Sequence, residues 1–188
     1  MEREKKLILL CHCILNCNAK VEGLSKYKSF IKNLVDMLYE ENISIIQLPC
    51  PEMHMYGIKR WGHTKNQFDT PFFRKQCENI LVPVVDQVKN YIDNNYKVLG
   101  VIGIDGSPSC GVNLTCLGDF GGESSSIENY KKSIDSLKMV NEEGVFIEEI
   151  KKLFKKQNIN IPFISLLEKD MVNSVNNIKT IIKKGDIL

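Results

Sequence analysis

Hydrophobic positions along the chain alternate between two patterns. Residues 98–104 form a near-continuous apolar run with β-branched side chains and no i, i+3, i+4 recurrence, which predicts a strand covered on both faces of a parallel sheet. Runs at 6–12, 43–49 and 161–167 read as further strands, the last with Pro162 near its start. Helical spacing recurs between them. Tyr27, Phe30, Ile31, Leu34, Val35 and Leu38 predict a helix over about 25–42, with Ser25 as its N-cap. Thr70 and Pro71 are cap and first position of a long helix reaching about Tyr96, bent at Pro83. A short helical stretch near 127–139 precedes an amphipathic helix over 141–157, with Val145, Phe146, Ile150, Leu153 and Phe154 inward, and a helix over 171–184 closes the chain.

Residues 53–69 lack periodicity and read as an irregular loop, where Tyr56, Trp61 and Phe68 argue for packing over disorder. Residues 116–126, with Gly118, Gly121, Gly122 and a serine triplet, read as a connector or mobile loop. Strands alternating with helices imply an α/β fold: an open, mostly parallel sheet of about four strands flanked by helices, one domain over residues 1–188. Ligands in such sheets bind beyond the carboxyl ends of the strands, where strand order reverses. Cysteines follow the first three predicted strands, so distant parts of the chain are expected to converge on one crevice.

Composition narrows the chemistry. A 188-residue chain with 43% hydrophobic and 26% charged residues is long enough for a real core. Net charge of +2 without a basic patch gives no support for specific nucleic-acid binding. The N-terminal apolar run is too short to span a membrane and lacks a signal-peptide pattern, so a cytoplasmic protein is expected. In a reducing compartment, seven cysteines point to metal binding or thiol chemistry over disulfides.

Familiar motifs fail. Gly106 and Gly111 have Walker A spacing, but Val112-Asn113 stands where Lys and Ser/Thr are needed. Gly100, Gly103 and Gly106 are not spaced as GxGxxG, no HExxH occurs, and Cys11, Cys13 and Cys17 do not make CxxxCxxC. Three strand-end loops offering Cys13, Cys50 and Cys110 suit a soft metal or an iron–sulfur cluster; equally, such thiols can be small buried hydrophobes, a reading that fits Cys77. Cys11 belongs with the first strand, and Cys17 and Cys116 are possible extra ligands. Cys116 as a fourth sulfur would close a tetrahedral zinc site. Glu52 and Ser107 beside these thiols suit proton transfer, or else a helix-cap carboxylate and a turn residue. His54 and His63 read as packing or substrate neighbours.

Cys13-Ile14-Leu15-Asn16 with Gly23 ten residues on, Cys50-Pro51-Glu52, and Ser107-Pro108-Ser109-Cys110-Gly111 together resemble the thiouracil desulfidase family and related desulfidases. The resemblance covers about the first two-thirds of the chain. It implies a Rossmann-like domain with a [4Fe-4S] cluster on Cys13, Cys50 and Cys110, whose fourth iron takes the sulfur of a small thiocarbonyl substrate. Glu52 and Ser107 would manage protons and water. Where main-group desulfidases carry a Gly-rich stretch leading to Pro-Arg, this chain has Met53-His54-Met55-Tyr56-Gly57-Ile58-Lys59-Arg60-Trp61, with Arg60 in place of the family's arginine and a substrate contact by that correspondence. Two other expectations stand beside it: a non-catalytic iron–sulfur or sulfur-carrier module, and a metal-free enzyme with Cys110 as nucleophile.

Overall fold

Eight helices and six strands are described by a computed structural model of the protein, covering residues 2–123 and 126–185. In chain order they are β1 (Lys6–Leu10), α1 (His12–Leu15), α2 (Lys32–Glu40), β2 (Ser44–Gln47), α3 (Pro51–Tyr56), α4 (Lys65–Phe68), α5 (Pro71–Asp93) and β3 (Lys97–Ile104). Then follow β4 (Thr115–Leu117), α6 (Ile127–Asp135), β5 (Lys138–Val140), α7 (Val145–Lys156), β6 (Phe163–Leu166) and α8 (Met171–Gly185).

Strands β2, β1, β3 and β6 form a four-stranded sheet in that order, and every pairing is parallel. The architecture is α/β and Rossmann-like. From β1 the chain steps to one side to make β2, then crosses to the other to make β3 and later β6. The reversal therefore lies beside β1, and the crevice is expected beyond the carboxyl ends of β1 and β3. Buried Leu7, Ile8, Leu9 and Leu10 of β1 and Val98, Leu99, Val101, Ile102 and Ile104 of β3 form the middle of the core. Central strands buried on both faces need this continuous apolar pattern.

Helix α5 follows its predicted span, with Thr70 Oγ accepting from the Phe73 amide at 3.2 Å. The helix expected over 25–42 begins only at Lys32. Ser25 caps no helix: its hydroxyl donates to the Tyr27 carbonyl at 2.6 Å. The physical reason is tertiary. The Cys17 amide donates to the Ser29 carbonyl, the Ile31 amide to the Ile14 carbonyl, and the Tyr27 hydroxyl to the Cys13 carbonyl. Residues ahead of α2 thus brace the loop after β1 instead of joining a helix.

Residues 53–69 also differ from the expected irregular loop, since α3 and α4 occupy both ends. Tyr56, His63, Phe68 and Phe73 stack there, with Phe68 and Phe73 at 4.4 Å between centroids and fully buried. Trp61, by contrast, is exposed. Strands β4 and β5 pair antiparallel as a small second sheet that periodicity did not reveal, because three residues are too few to show a period. Within the loop predicted over 116–126, the first residues belong to β4, and Ser124 and Ser125 lie outside the described residues.

Candidate functional site: three strand-end arms

Each arm begins where a strand ends. At β1, the Cys11 amide still donates to the Ile102 carbonyl at 3.0 Å, so Cys11 continues the ladder, and Cys13 sits in the short helix α1. His12 ties this arm to the next: its Nδ1 lies 3.3 Å from the Leu48 carbonyl and its Nε2 3.4 Å from Asn16 Nδ2. A carbonyl only accepts, so Nδ1 carries the hydrogen and Nε2 accepts from Asn16.

At the second arm Cys50 is the N-cap of α3, and its Sγ accepts from the Met53 amide at 3.4 Å. Pro51 takes the first helical position, where a missing N–H costs nothing, and Glu52 follows in the first turn, where a carboxylate faces the positive end of the helix.

The third arm is the loop after β3. Asp105 Oδ1 accepts from the Val112 and Asn113 amides at 2.9 Å each, closing the loop at its base. Ser107 Oγ accepts from the Ser109 and Cys110 amides at 3.3 and 3.0 Å, and Thr115 Oγ1 donates to the Ser107 carbonyl. Helix α7 holds the loop from outside. Its N-cap, Gly144, has no side chain to offer, and the first amides of the helix instead donate to loop carbonyls: Val145 to Pro108 and Phe146 to Ser109. A Cβ on Gly144 would stand 2.4 Å from the Ser109 carbonyl, so this approach requires glycine.

A buried polar network joins the arms. Glu52 and Arg60 are each 8% exposed, and Ser109 1%. Glu52 Oε2 accepts from Arg60 Nε at 3.2 Å, and Oε1 from the Ser109 hydroxyl at 2.6 Å. The other Arg60 nitrogens donate to the Gly57 carbonyl at 3.2 Å and the Ala19 carbonyl at 2.6 Å, the latter on the first arm. Arg60 is thus engaged on three sides within the protein.

The thiols sense one another. Burial first, then Cys110, pushes the Cys13 thiol well up, while Lys20 opposes the shift. Burial, then Cys110, pushes Cys50 up to about 12, against the Met53 amide. Cys110 is raised by its hydrogen bond with Cys11 and by burial. Glu52 acts in the same direction on all of them. Three thiolates beside a carboxylate are unfavourable without a cation, so this donor set suits a soft, cationic centre that ionises the thiols as it binds. Among the described residues no group of three or more His, Cys, Asp or Glu is arranged to hold a metal ion. The zinc arrangement with Cys116 is therefore not formed: Cys116 lies on β4, its Sγ 3.7 Å from the His63 carbonyl.

Of the remaining residues, Cys17 is buried in a 3-10 turn, Cys77 is buried inside α5, and His54 is exposed. His63 stacks on Tyr56 and Phe68 with its Nδ1 buried and unpartnered. Three contributors escaped the sequence reading. Ser109 stood inside a motif already in hand, Gly144 carries no chemistry of its own, and Glu168, which pairs with Lys20 of the first arm, lies just past β6, where position after a strand was the available signal.

A parallel sheet whose strand order reverses beside β1, with thiols, a carboxylate and hydroxyls beyond its carboxyl edge, defines an α/β protein of the Rossmann-like class. Over 136 residues the chain is 33% identical to an uncharacterized protein, MJ0003, of Methanocaldococcus jannaschii, an alignment spanning 72% of this chain and 82% of that protein. The chain belongs to the family of that archaeal protein. No family model and no solved structure matches it.

Proposed function

We propose that the protein is a non-redox desulfidase that converts a small thiocarbonyl compound, such as a thiolated nucleobase, and water into the carbonyl compound and hydrogen sulfide. The observation that carries this reading is the convergence of Cys13, Cys50 and Cys110, with Glu52, on the ends of three adjacent parallel strands. A [4Fe-4S] cluster on these three thiolates would supply a Lewis-acidic iron without a protein ligand, able to take sulfur from carbon. Glu52 accepts a proton from the attacking water, with Arg60 donating to one of its oxygens. Ser107, only partly buried at the same loop, orients water or substrate. Arg60, a substrate contact by resemblance, has its guanidinium bound to Glu52, Gly57 and Ala19, which favours a role in holding Glu52.

The raised thiols favour ligands that ionise on binding a cation over a metal-free Cys110 nucleophile, which needs a lowered pKa. Seven free cysteines suit a reducing compartment, in keeping with a cytoplasmic protein. No described helix is long and apolar enough to cross a membrane.

Anaerobic reconstitution with iron and sulfide, iron counting, and sulfide release from a panel of thionucleobases test the proposal. A cluster lost in Cys13→Ala, Cys50→Ala and Cys110→Ala and turnover lost in Glu52→Gln are expected. No cluster, or one indifferent to those cysteines, overturns it; a cluster without turnover favours the carrier module.

A further inference from the structure

The loop after β3 buries one hydroxyl that the proposed chemistry leaves without a task. Ser109 is 1% exposed, and its Oγ lies 2.6 Å from Glu52 Oε1, 3.3 Å from Ser107 Oγ and 3.5 Å from Cys110 Sγ. A hydroxyl has one hydrogen, and the shortest contact, to a carboxylate that only accepts, takes it. The Ser107 contact must then run inward, with Ser107 donating to Ser109, and the long approach to Cys110 Sγ keeps no hydrogen of its own. Ser107 Oγ in turn accepts from two amides of its own loop. The direction of this hydroxyl chain is set: amides to Ser107, Ser107 to Ser109, Ser109 to Glu52.

We infer that Ser109 is the positioning residue of Glu52, fixing one carboxylate oxygen while Arg60 fixes the other. With a donor on each oxygen, the carboxylate plane cannot turn, and its free lone pairs face one direction. With Arg60 alone it would pivot about a single 3.2 Å contact. The C-terminal third, which carries no recognisable motif, decides where Ser109 stands. The Phe146 and Ile147 amides at the start of α7 donate to the Ser109 carbonyl at 3.0 and 3.3 Å, and Gly144 leaves the room for it. This contribution of α7 reaches Glu52 across three elements without touching a substrate.

The inference deepens the desulfidase reading and rests on it for its catalytic consequence, but not for the hydrogen bond itself. In iron-free protein carrying carbon-13 in its glutamate carboxyls, the Glu52 resonance is identified by its disappearance in Glu52→Gln. At one fixed pH, Ser109→Ala is expected to move that resonance. Ser109→Thr and Ser109→Val share a shape and differ in the hydroxyl, so Thr is expected to keep the wild-type position and Val to follow Ala. In reconstituted protein of equal iron content, Ser109→Ala and Ser109→Val are expected to lower kcat on the order of 10- to 100-fold with KM unchanged, and Thr to restore most of it. A resonance unmoved by Ser109→Ala, equal values for Thr and Val, or an unchanged kcat overturns the inference. Absence of turnover in the wild type overturns the proposed function instead, and the resonance then decides the positioning role alone.

Discussion

Lys20 Nζ meets both carboxylate oxygens of Glu168, at 2.5 and 2.6 Å, across a sequence separation of 148. The pair links the arm after β1 to the end of β6, and its side chains are 12% and 15% exposed. Removing one partner strands the other charge, so Lys20→Met or Glu168→Gln is expected to cost about 1–3 kcal/mol, and the double variant less than the sum. Urea unfolding of the four proteins checks this. Lys20 also favours the Cys13 thiolate. Its loss is expected to push that thiol further up and slow its alkylation at fixed pH, read by mass spectrometry.

Arg60→Ala leaves Glu52 buried beside a single hydroxyl, with the Ala19 and Gly57 carbonyls each short of a donor. A loss of about 3–5 kcal/mol is expected in denaturant unfolding. Arg60→Lys is expected to recover little of it, because an ammonium cannot reach three partners in the plane of a guanidinium. Glu52→Gln is expected to cost less than Arg60→Ala, since the amide keeps an oxygen for one of the donors.

Gly144→Ala drives a methyl group to 2.4 Å from the Ser109 backbone and 2.9 Å from the Cys110 nitrogen. Backbone on backbone cannot yield cheaply, so a loss of about 1–3 kcal/mol and lower iron uptake are expected. Gly121→Ala meets nothing within 4 Å and serves as the control, with no change in either measurement.

Burial raises the thiols of Cys13, Cys50, Cys77 and Cys116 in the folded chain, and a hydrogen bond with Cys11, then burial, raises Cys110. An acid with a folded pKa above its unfolded one binds more protons folded than unfolded. Its stability is therefore full below the unfolded value and lost as pH rises past it. Iron-free protein is expected to lose thermal stability from about pH 9 upward, through the window that ends for Cys50 at about 12. A melting temperature flat between pH 8.5 and 10.5 would contradict the burial of these groups.

The sequence alone determined the parallel sheet, since a strand covered on both faces must be apolar nearly throughout, as 98–104 is. It also determined that thiols follow three strands, but not that Pro51 opens a helix with Cys50 as its N-cap, because six residues are too few to show a helical period. Periodicity misled at 25–31, where amphipathic residues serve the β1 loop through Tyr27 and Ser29. Local pattern cannot report which backbone groups a distant loop will claim. The same limit hid the pairing of Glu52 with Ser109 and Arg60, of Lys20 with Glu168, and of α7 with the loop after β3. Those relations depend on which side chains the β2-β1-β3-β6 order carries to one edge of the sheet. Chain proximity does not encode that, and only the packed sheet decided it.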